Sequence, residues 1–578
     1  MVKKLMAHIG EYKKNSILAP LFMIGEVAMD VMIPYLMSFL INNGLQKNDF
    51  EYVLHVGLVM LAMTAIGLLC GSMSGTHAAI ASTGLAKNLR KALFSNVQKF
   101  SFENIDRFSA SSLITRLTTD VTNIQNAFQM VIRMCVRAPL MMIFALIMSF
   151  VLEPRLALIF LVAIPLLGIV MYVLIKKAHG YFKKMFEQYD ELNNDVQENL
   201  LSIRTVKAYV RESYENEKFE KISSKLVDIS KAAEKIMILQ SPIMTVVVFG
   251  IIILDSVIGG HFIVSGSMPI GNLTTLFTYA MQVMMSLMMI SMILVMIVMS
   301  VASGERIVEV LDEETTISNC EEPVKEVKDG SIRFEHVSFA YAGGNDKNVL
   351  EDINLEIKSG ETVGIIGGTG SSKSTLVQLI PRLYDVTEGS IYVGGTDVRK
   401  LDLHALRDSV SMVLQKNELF SGTITSNMKW GDSNATDEEI MHACRLAQAD
   451  EFIQKFEKKY DTRIEQGGNN VSGGQKQRLC IARALLKKPK ILILDDSTSA
   501  VDMRTDALIR DAFANEIPDT TKIIIAQRIA SVQEADKIIV LDQGKISGVG
   551  THEELFETNE IYREVYESQV KGGDDHAA

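Results

Sequence analysis

Residues 367–375 read Gly-Gly-Thr-Gly-Ser-Ser-Lys-Ser-Thr, and they directly follow the apolar, β-branched run Thr362–Ile366. A glycine-rich turn after a strand lets backbone N–H groups close around phosphate oxygens at the start of the next helix, which we expect near Ser372. Lys373 is then placed to reach the β- and γ-phosphates of a nucleotide, and Ser374 to bind Mg²⁺. The stretch therefore predicts a phosphate-binding loop. The alternative is a chance Gly- and Ser-rich turn.

One position in this loop departs from the general pattern, which has glycine immediately before the lysine. Here that residue is Ser372. A side chain at this point can strain the loop or crowd the phosphate, so we expect an effect on nucleotide affinity but not on the fold. The residues expected to surround the phosphates are Gly367, Gly368, Thr369, Gly370, Ser371, Ser372, Lys373, Ser374 and Thr375.

Four further motifs accompany the loop. They are Tyr341 before the first core strand, Gln415 in Val413-Leu414-Gln415, Val-Ser-Gly-Gly-Gln at 471–475 ahead of the acidic strand Ile491 to Asp496, and Ser-Ala-Val-Asp at 499–502. With these motifs in this order, the segment from about 330 to 570 resembles the nucleotide-binding domain of ATP-binding-cassette (ABC) transporters.

The resemblance implies a role for each motif and two cofactors, ATP and Mg²⁺. It implies that Tyr341 stacks on adenine, that Gln415 senses the metal and couples to the membrane domain, and that Asp495 supports Mg²⁺. In this family two such domains close head to tail, so each ATP lies between the phosphate loop of one subunit and the signature segment of the other. The signature residues here are Ser472, Gly473, Gly474 and Gln475.

Two positions expected to support hydrolysis depart from the family pattern. Asp496 stands where a glutamate is usual, and Gln527 stands where the switch histidine is usual. Misplacing a catalytic group by about 1 Å can cost on the order of 10²-fold in rate, so we expect a weakly hydrolytic site. The signature segment, which serves the other subunit, is intact. This pattern favours an asymmetric heterodimer over a slow homodimer or a chain altered at one position.

The N-terminal half has the composition of a membrane domain. The chain has 578 residues and 48% hydrophobic content, and its apolar residues are concentrated in long runs. The runs lie near 17–41, 53–79, 138–152, 156–175, 243–264 and 270–302. The sequence therefore predicts a multidomain membrane protein, in which an all-α domain of six transmembrane helices is fused to an α/β nucleotide-binding domain with a phosphate loop.

The expected boundaries are a transmembrane domain at 1–310, a linker at 311–330, a nucleotide-binding domain at 331–570 and a disordered tail at 571–578. Basic residues concentrate in the long polar stretches after the second and fourth runs, which places these stretches and both termini in the cytoplasm of a multi-pass protein of the cell membrane. The layout resembles ABC exporters, in which bends such as those near 101–112 and 206–214 act as coupling helices.

Charge and cysteine usage exclude other classes. The net charge of −11 argues against a nucleic-acid partner. The five cysteines show no paired spacing, which suits a reducing cytosol.

Substrate clues in the membrane domain are open to two readings each. Methionines recur on one face of the sixth run, either as an adaptable cavity wall or as ordinary packing; they are Met281, Met285, Met288, Met292, Met296 and Met299. Glu26 and Asp30 in the first run could attract a cationic substrate, or could be neutralised by Arg133 and Arg137. We favour the structural pairing. Asp255, near the outer end of the fifth run, is expected to be solvated.

These observations favour ATP-driven export of amphipathic or drug-like small molecules across the cytoplasmic membrane by a heterodimer, in which this chain is the degenerate-site half. The expected partners are a different half-transporter with the catalytic glutamate and switch histidine, membrane lipid and a small-molecule substrate. The alternatives are a homodimeric exporter of a specific lipid, peptide or tetrapyrrole, and a nucleotide-gated regulatory or channel-like protein.

Overall fold

The computed structural model describes residues 1–341, 347–497 and 499–574, with the backbone alone described at 175, 179, 186, 294, 295, 298, 299 and 570–574. Its contacts divide the chain into two compact units. The first unit contains residues 1–98 and 111–313, and the second contains residues 99–110 and 314–578. Most of the predicted linker, from residue 314, and a short segment near residue 100 both pack with the second unit.

The first unit is entirely helical in its described part. Its helices are α1 (Val2–Ala7), α2 (Lys13–Phe39), α3 (Phe50–Val97), α5 (Ala110–Thr115), α6 (Val121–Leu152), α7 (Pro154–Leu201), α8 (Ile203–Ala208), α9 (Glu212–Met237), α10 (Gln240–Val264) and α11 (Ile270–Asp312), while α4 (Phe102–Phe108) lies in the second unit. Within the described residues, six helical segments are long and apolar enough to cross a membrane, which confirms the predicted number of spans.

The turns between consecutive spans follow from local sequence signals. Proline at the first position of α7 suits a helix start, and the chain reverses between Leu152 and Pro154, as the sequence predicts. The Asp49 side chain caps α3 by accepting a hydrogen bond from the Tyr52 backbone N–H at 3.0 Å. The short connection between α6 and α7 places these two helices side by side, and the short connection between α10 and α11 does the same.

The charged residues of the first span are paired within the unit. The Arg137 guanidinium donates to Glu26 Oε1 and, at 2.9 Å, to Asp30 Oδ2. This arrangement supports the structural interpretation of the two acids. It differs from the expectation in one respect, because no ion pair or hydrogen bond of Arg133 is found among the described residues.

The expectation that Asp255 is solvated is wrong. Its side chain is completely buried, and within the described part of the chain neither carboxyl oxygen has a hydrogen-bond partner. Ile251 and Gly259, one turn away on either side, are also buried, so α10 turns this face toward its neighbours. Distance along the sequence indicates depth in the membrane, but it does not indicate which face of the helix is covered.

Replacing Asp255 with leucine is expected to raise the free energy of unfolding of the first unit by about 1–3 kcal/mol, because a buried polar group without a partner costs about that much. The midpoint of thermal unfolding of the purified chain would measure the gain. Asp228→Leu, at an exposed position on α9, is the matched control and should give no gain. A midpoint for Asp255→Leu at or below that of the original chain would contradict the expectation.

The methionine face of α11 is mostly uncovered within the first unit. Met285 and Met292 are 65% and 62% exposed, and Met281 and Met288 are partly exposed. The side chain of Met299 lies outside the described residues. These side chains are therefore not part of the packed core of this unit.

The second unit contains an antiparallel and a mainly parallel sheet. Its strands are β1 (Ile332–Phe339), β2 (Leu350–Ile357), β3 (Thr362–Gly367), β4 (Glu388–Val393), β5 (Thr396–Asp397), β6 (Val410–Val413), β7 (Gly422–Thr423), β8 (Arg463–Ile464), β9 (Ile491–Asp495), β10 (Thr521–Ile525), β11 (Lys537–Asp542) and β12 (Lys545–Gly550). The order is β2-β1-β4-β5 in one sheet and β12-β11-β3-β10-β9-β6 in the other, with β7 and β8 forming a separate pair.

Helices complete this unit. They are α12 (Lys373–Gln378), α13 (Leu403–Ser409), α14 (Ile424–Met428), α15 (Asp437–Leu446), α16 (Asp450–Ile453), α17 (Gly473–Leu486), α18 (Met503–Glu516), α19 (His552–Thr558) and α20 (Glu560–Asp574). Of the tail predicted to be disordered, residues 571–574 continue α20, and residues 575–578 lie outside the described residues. Strands β3, β9, β10 and β11 are buried, as expected for a parallel sheet covered on both faces.

Helix α4 packs on the second unit through Tyr384. The Tyr384 hydroxyl donates to Asp106 Oδ2 at 2.6 Å, and the Phe102 ring meets the Tyr384 ring edge-on at 5.9 Å. Ser101 also bonds to the Thr316 hydroxyl at 2.8 Å. These contacts explain why a segment near residue 100 belongs with residues more than 200 positions later in the chain.

Candidate functional site

The loop at 367–375 lies at the carboxyl end of β3, between β11 and β10 in the centre of the parallel sheet. In open α/β sheets, ligands bind at this edge of the strands. Gly367 has no room for a side chain, because an added Cβ would lie 2.2 Å from the Leu541 carbonyl oxygen. The predicted strand, loop and helix are therefore all present, with α12 beginning at Lys373.

Ser372 adopts a left-handed backbone conformation, with φ 70° and ψ 25°. For a residue with a Cβ this conformation costs roughly 1–2 kcal/mol, whereas glycine adopts it freely. The strain expected from the sequence therefore has a specific geometric origin: the loop needs the conformation that glycine provides at this point.

Lys373 is held over the loop by backbone oxygens. Its ammonium donates to the carbonyl oxygens of Gly367 and Gly368, both at 2.8 Å, and to Ser371 Oγ at 3.3 Å. Burial lowers the pKa of this ammonium, although the nearby Asp495 and Asp496 carboxyls oppose that effect. The charge is thus fixed at the mouth of the loop, where phosphate oxygens would be held.

Hard oxygen ligands meet beside the lysine. Ser374 Oγ donates to Asp495 Oδ1 at 2.9 Å, and β9 places Asp495 at its carboxyl end. Burial raises the pKa of the Asp495 carboxyl. A hydroxyl and a carboxylate fit Mg²⁺, which binds few protein oxygens and completes its octahedron with phosphate and water. Ser374, Asp495 and the neighbouring Gln415 amide would hold the ion against the nucleotide.

The two atypical positions contact each other directly. Gln527 Nε2 donates to Asp496 Oδ2 at 2.8 Å, and the Gln527 backbone oxygen accepts from Gln569 Nε2 at 2.7 Å. Burial raises the pKa of the Asp496 carboxyl, while hydrogen bonds from Gln527 and Gln415 lower it in part. Asp496 itself has a positive φ of 48°. The carboxyl is therefore bonded to amides, with no imidazole in the pair.

Tyr341 sits in an aromatic group at the edge of this site. Its ring meets Phe339 and Tyr384 edge-on at 4.8 and 5.3 Å, and its hydroxyl bonds to Thr375 Oγ1 at 3.0 Å. Thr375, expected near the phosphates, thus contacts the residue expected to stack on adenine. Residues 342–346 lie outside the described chain.

The signature segment forms the start of α17. Ser472 caps the helix, and Ser472 and Gln475 bond to each other's backbone N–H groups at 3.3 and 3.0 Å. Gly474 lies against the loop at 499–502, because an added Cβ would be 2.8 Å from the Ala500 carbonyl oxygen. None of the hydrogen bonds described for Ser472 and Gln475 reaches residues 367–375 of the same chain.

Two contributors were not found from the sequence. Gln569 binds the backbone of Gln527, and Tyr384 connects the aromatic group to α4. The position of Tyr384 in the sequence does not indicate its contact with α4, because its partner Asp106 lies 278 residues earlier.

Comparison with known proteins gives matches in both halves of the chain. A family described as the ABC transporter transmembrane region matches residues 16–287, and one described as ABC transporter matches residues 350–499. An uncharacterized ABC transporter ATP-binding protein of Bacillus subtilis is 37% identical, over 98% of each chain. An ATP-dependent lipid A-core flippase of Desulfotalea psychrophila is 33% identical, over 98% of this chain and 99% of its own.

A solved structure has the same fold. The structure of a bacterial Atm1-family ABC exporter with ATP bound aligns with a TM-score of 0.83 at 24% identity. The alignment covers 96% of this chain and 99% of that chain.

Proposed function

Because the chain belongs to the ABC transporter family, as a half-transporter of the exporter type, we propose that it is the degenerate-site half of a heterodimeric exporter. In this assembly a different half-transporter supplies a catalytic glutamate and a switch histidine. The pair moves amphipathic or drug-like small molecules outward across the cytoplasmic membrane, with both termini of this chain in the cytoplasm.

The observation that carries this assignment is the Asp496–Gln527 pair. The short carboxylate accepts a hydrogen bond from the amide at 2.8 Å, so both groups are engaged with each other. An amide cannot take up a proton as imidazole does, and aspartate is one methylene shorter than glutamate. The signature segment is intact by contrast, and it serves the nucleotide of the other subunit.

The residues of this chain then have separate tasks. Lys373 and the loop N–H groups hold the phosphates of ATP, Ser374 and Asp495 hold Mg²⁺, and Tyr341 carries the adenine. When bound, Mg²⁺ would supply positive charge against the phosphate oxygens. Ser472 and the α17 N-terminus face the γ-phosphate on the partner's loop. Nucleotide binding by both halves favours the closed dimer, and hydrolysis at the competent site releases it.

Lipid is a second substrate candidate. The flippase of Desulfotalea psychrophila, whose name specifies lipid A-core, is similar to this chain over nearly its full length. Amphipathic lipids and amphipathic drugs share the requirement for a polar group and an apolar body. A nucleotide-gated channel is distinguished from either exporter by accumulation of substrate against a gradient in inside-out vesicles.

ATP turnover by the purified chain, alone and together with a half-transporter that has the catalytic glutamate and the switch histidine, tests the assignment. We expect slow turnover from the chain alone and an increase on the order of 10²-fold in the mixed dimer, because only the partner's loop has the full set of catalytic groups. Rapid turnover and transport by the chain alone would show that the heterodimer assignment is wrong.

A further inference from the structure

A polar cleft with a volume of about 500 Å³ lies among α2, α3 and α6 in the first unit. Charged side chains line one part of this cleft, and apolar side chains line another part. The lining residues are Glu26, Met29, Asp30, Ile33, Thr64, Gly67, Leu68, Gly71, Ser72, Arg133 and Arg137.

Two opposite charges in this cleft retain unpartnered atoms. Arg137 bonds to Glu26 Oε1 and Asp30 Oδ2, which leaves Glu26 Oε2 buried without a hydrogen-bond partner. Arg133 Nε is likewise buried and unpartnered, and no ion pair of Arg133 occurs in the described part of the chain. Unpaired buried polar atoms of this kind are costly, so a ligand that supplies their partners gains affinity.

Two glycines on α3 let these two side chains approach the same face of that helix. An added Cβ at Gly71 would lie 2.9 Å from Glu26 Oε2, and one at Gly75 would lie 3.8 Å from Arg133 Nη1. Gly71 and Gly75 are one turn apart on α3, a rise of roughly 6 Å. The unpartnered Glu26 Oε2 and the Arg133 guanidinium therefore lie beside positions one turn apart on α3, and no ion pair joins them among the described residues.

The order of these charges relative to the membrane is defined by the helices. Arg133 precedes the end of α6 at Leu152 by a length of roughly 28 Å, close to the hydrocarbon thickness of about 30 Å, so it lies near the cytoplasmic boundary. Glu26 lies about one turn deeper, beside Gly71. Apolar lining residues, Ile33 and Leu68, lie deeper still. From the membrane centre outward, the cleft thus offers apolar residues, the ion pairs of Arg137 with Asp30 and Glu26, and then the two unpartnered groups, Glu26 Oε2 followed by the Arg133 guanidinium.

We propose that this cleft binds a zwitterionic amphiphile in which the cation lies next to the apolar body and the anion lies at the far end. The cation pairs with Glu26 Oε2, the anion with the Arg133 guanidinium, and the apolar body lies along Ile33 and Leu68. A phosphocholine-type head group has the reverse order of charges and fits less well. The role of the cleft as a substrate site rests on the export function proposed above, whereas binding itself does not.

Two probes of equal chain length test the charge order directly. The full-length chain in lipid nanodiscs is titrated with dodecyl betaine, which has the order tail, cation, anion, and with dodecylphosphocholine, which has the order tail, anion, cation. Dodecyltrimethylammonium has the cation alone. We expect betaine to bind roughly tenfold or more tighter than either of the others, the value of one charge-assisted hydrogen bond. Equal affinities for all three would overturn the inference.

Variants locate the binding in the cleft. Arg133→Gln should reduce betaine affinity to the level of dodecyltrimethylammonium, while Arg133→Lys should retain most of it. Arg133→Gln leaves the Arg137 pairs with Glu26 and Asp30 intact. Gly75→Val adds a side chain beside the Arg133 guanidinium without removing a charge and should also reduce the preference. Arg155→Gln removes an exposed arginine whose guanidinium lies over Phe262, outside the cleft, and should change nothing.

The outcomes separate this inference from export. Because binding is measured without ATP and without a second half-transporter, failure of the heterodimer assignment leaves the result unchanged. Unaltered betaine affinity in both Arg133→Gln and Gly75→Val would show that the cleft is not the site, even if export by the mixed dimer is observed.

Discussion

Asp496→Glu combined with Gln527→His is expected to raise ATP turnover by the purified chain on the order of 10²-fold. The reason is positional, because a catalytic group misplaced by about 1 Å loses that factor. Glutamate extends the carboxylate by about one bond length, roughly 1.5 Å. Histidine restores a group that can bridge phosphate and carboxylate while exchanging a proton. The measurement is Mg²⁺-dependent phosphate release by the chain alone.

The local structure is suited to this restoration. Strands β9 and β10 are parallel neighbours with Asp495 opposite Ile525, and the Asp496 N–H donates to the Ile525 carbonyl oxygen at 3.1 Å. Residues 496 and 527 are therefore fixed by adjacent strands, and their side chains already touch. Only the chemical groups need to change, not the backbone that presents them.

Each single change is expected to give a smaller gain than the pair, because the two groups act on one water molecule. Adding Lys373→Ala to the double variant should remove the gain, which shows that the turnover arises at this chain's own loop. A double variant that binds ATP as well as the original chain but gains no turnover would contradict the explanation. In that case Ser372 becomes the next position to restore, with glycine.

Gly474→Asp is expected to lower turnover of the mixed dimer on the order of 10²- to 10³-fold, the effect typical of losing an electrostatic contact to a reacting phosphate or oxyanion. The added Cβ meets the Ala500 carbonyl oxygen at 2.8 Å, so α17 must shift away from the loop at 499–502. In the proposed dimer, the new carboxylate also repels the γ-phosphate of the partner's nucleotide. ATP hydrolysis by the pair is the measurement.

Gly395→Asp is the matched control, because an added Cβ there meets no atom within 4 Å and aspartate tolerates the left-handed φ of 75° better than most residues do. It introduces the same charge in an exposed turn and should leave turnover unchanged. Asp496→Asn, in contrast to Gly474→Asp, should have a much smaller effect on the mixed dimer, since this chain's own site contributes little hydrolysis. If Asp496→Asn and Gly474→Asp were equally damaging, the two sites would be equally active and the asymmetry would be refuted.

The parts of the fold with local signals could be predicted from the sequence. The six membrane-spanning helices follow from apolar length, and the reversal at Leu152–Pro154 follows from the proline. The loop before Lys373 follows from its glycines, and the anticipated difficulty at Ser372 corresponds to a left-handed φ of 70°. In each case the deciding interactions lie within a few residues of one another.

The features that the sequence did not reveal depend on tertiary packing. Asp255 was predicted to be solvated but is buried, because the packing of neighbouring helices determines which face of α10 is covered. Arg133 and Arg137 are one turn apart on α6, as Glu26 and Asp30 are on α2, yet among the described residues only Arg137 pairs with these acids. Contacts such as that of Gln569 with Gln527 depend on which helix packs along the edge of the sheet, and the sequence alone does not indicate this.

The attachment of α4 to Tyr384 has a practical consequence for biochemical work. A fragment that starts at residue 331 leaves α4 behind, and with it the Asp106 acceptor and the Phe102 ring. Tyr384, which also packs against Tyr341, is then open to water on the side that α4 covers. Nucleotide affinity or heat resistance determined on such a fragment will therefore describe a molecule in which the aromatic group around Tyr341 is altered, and the intact polypeptide is the appropriate reference.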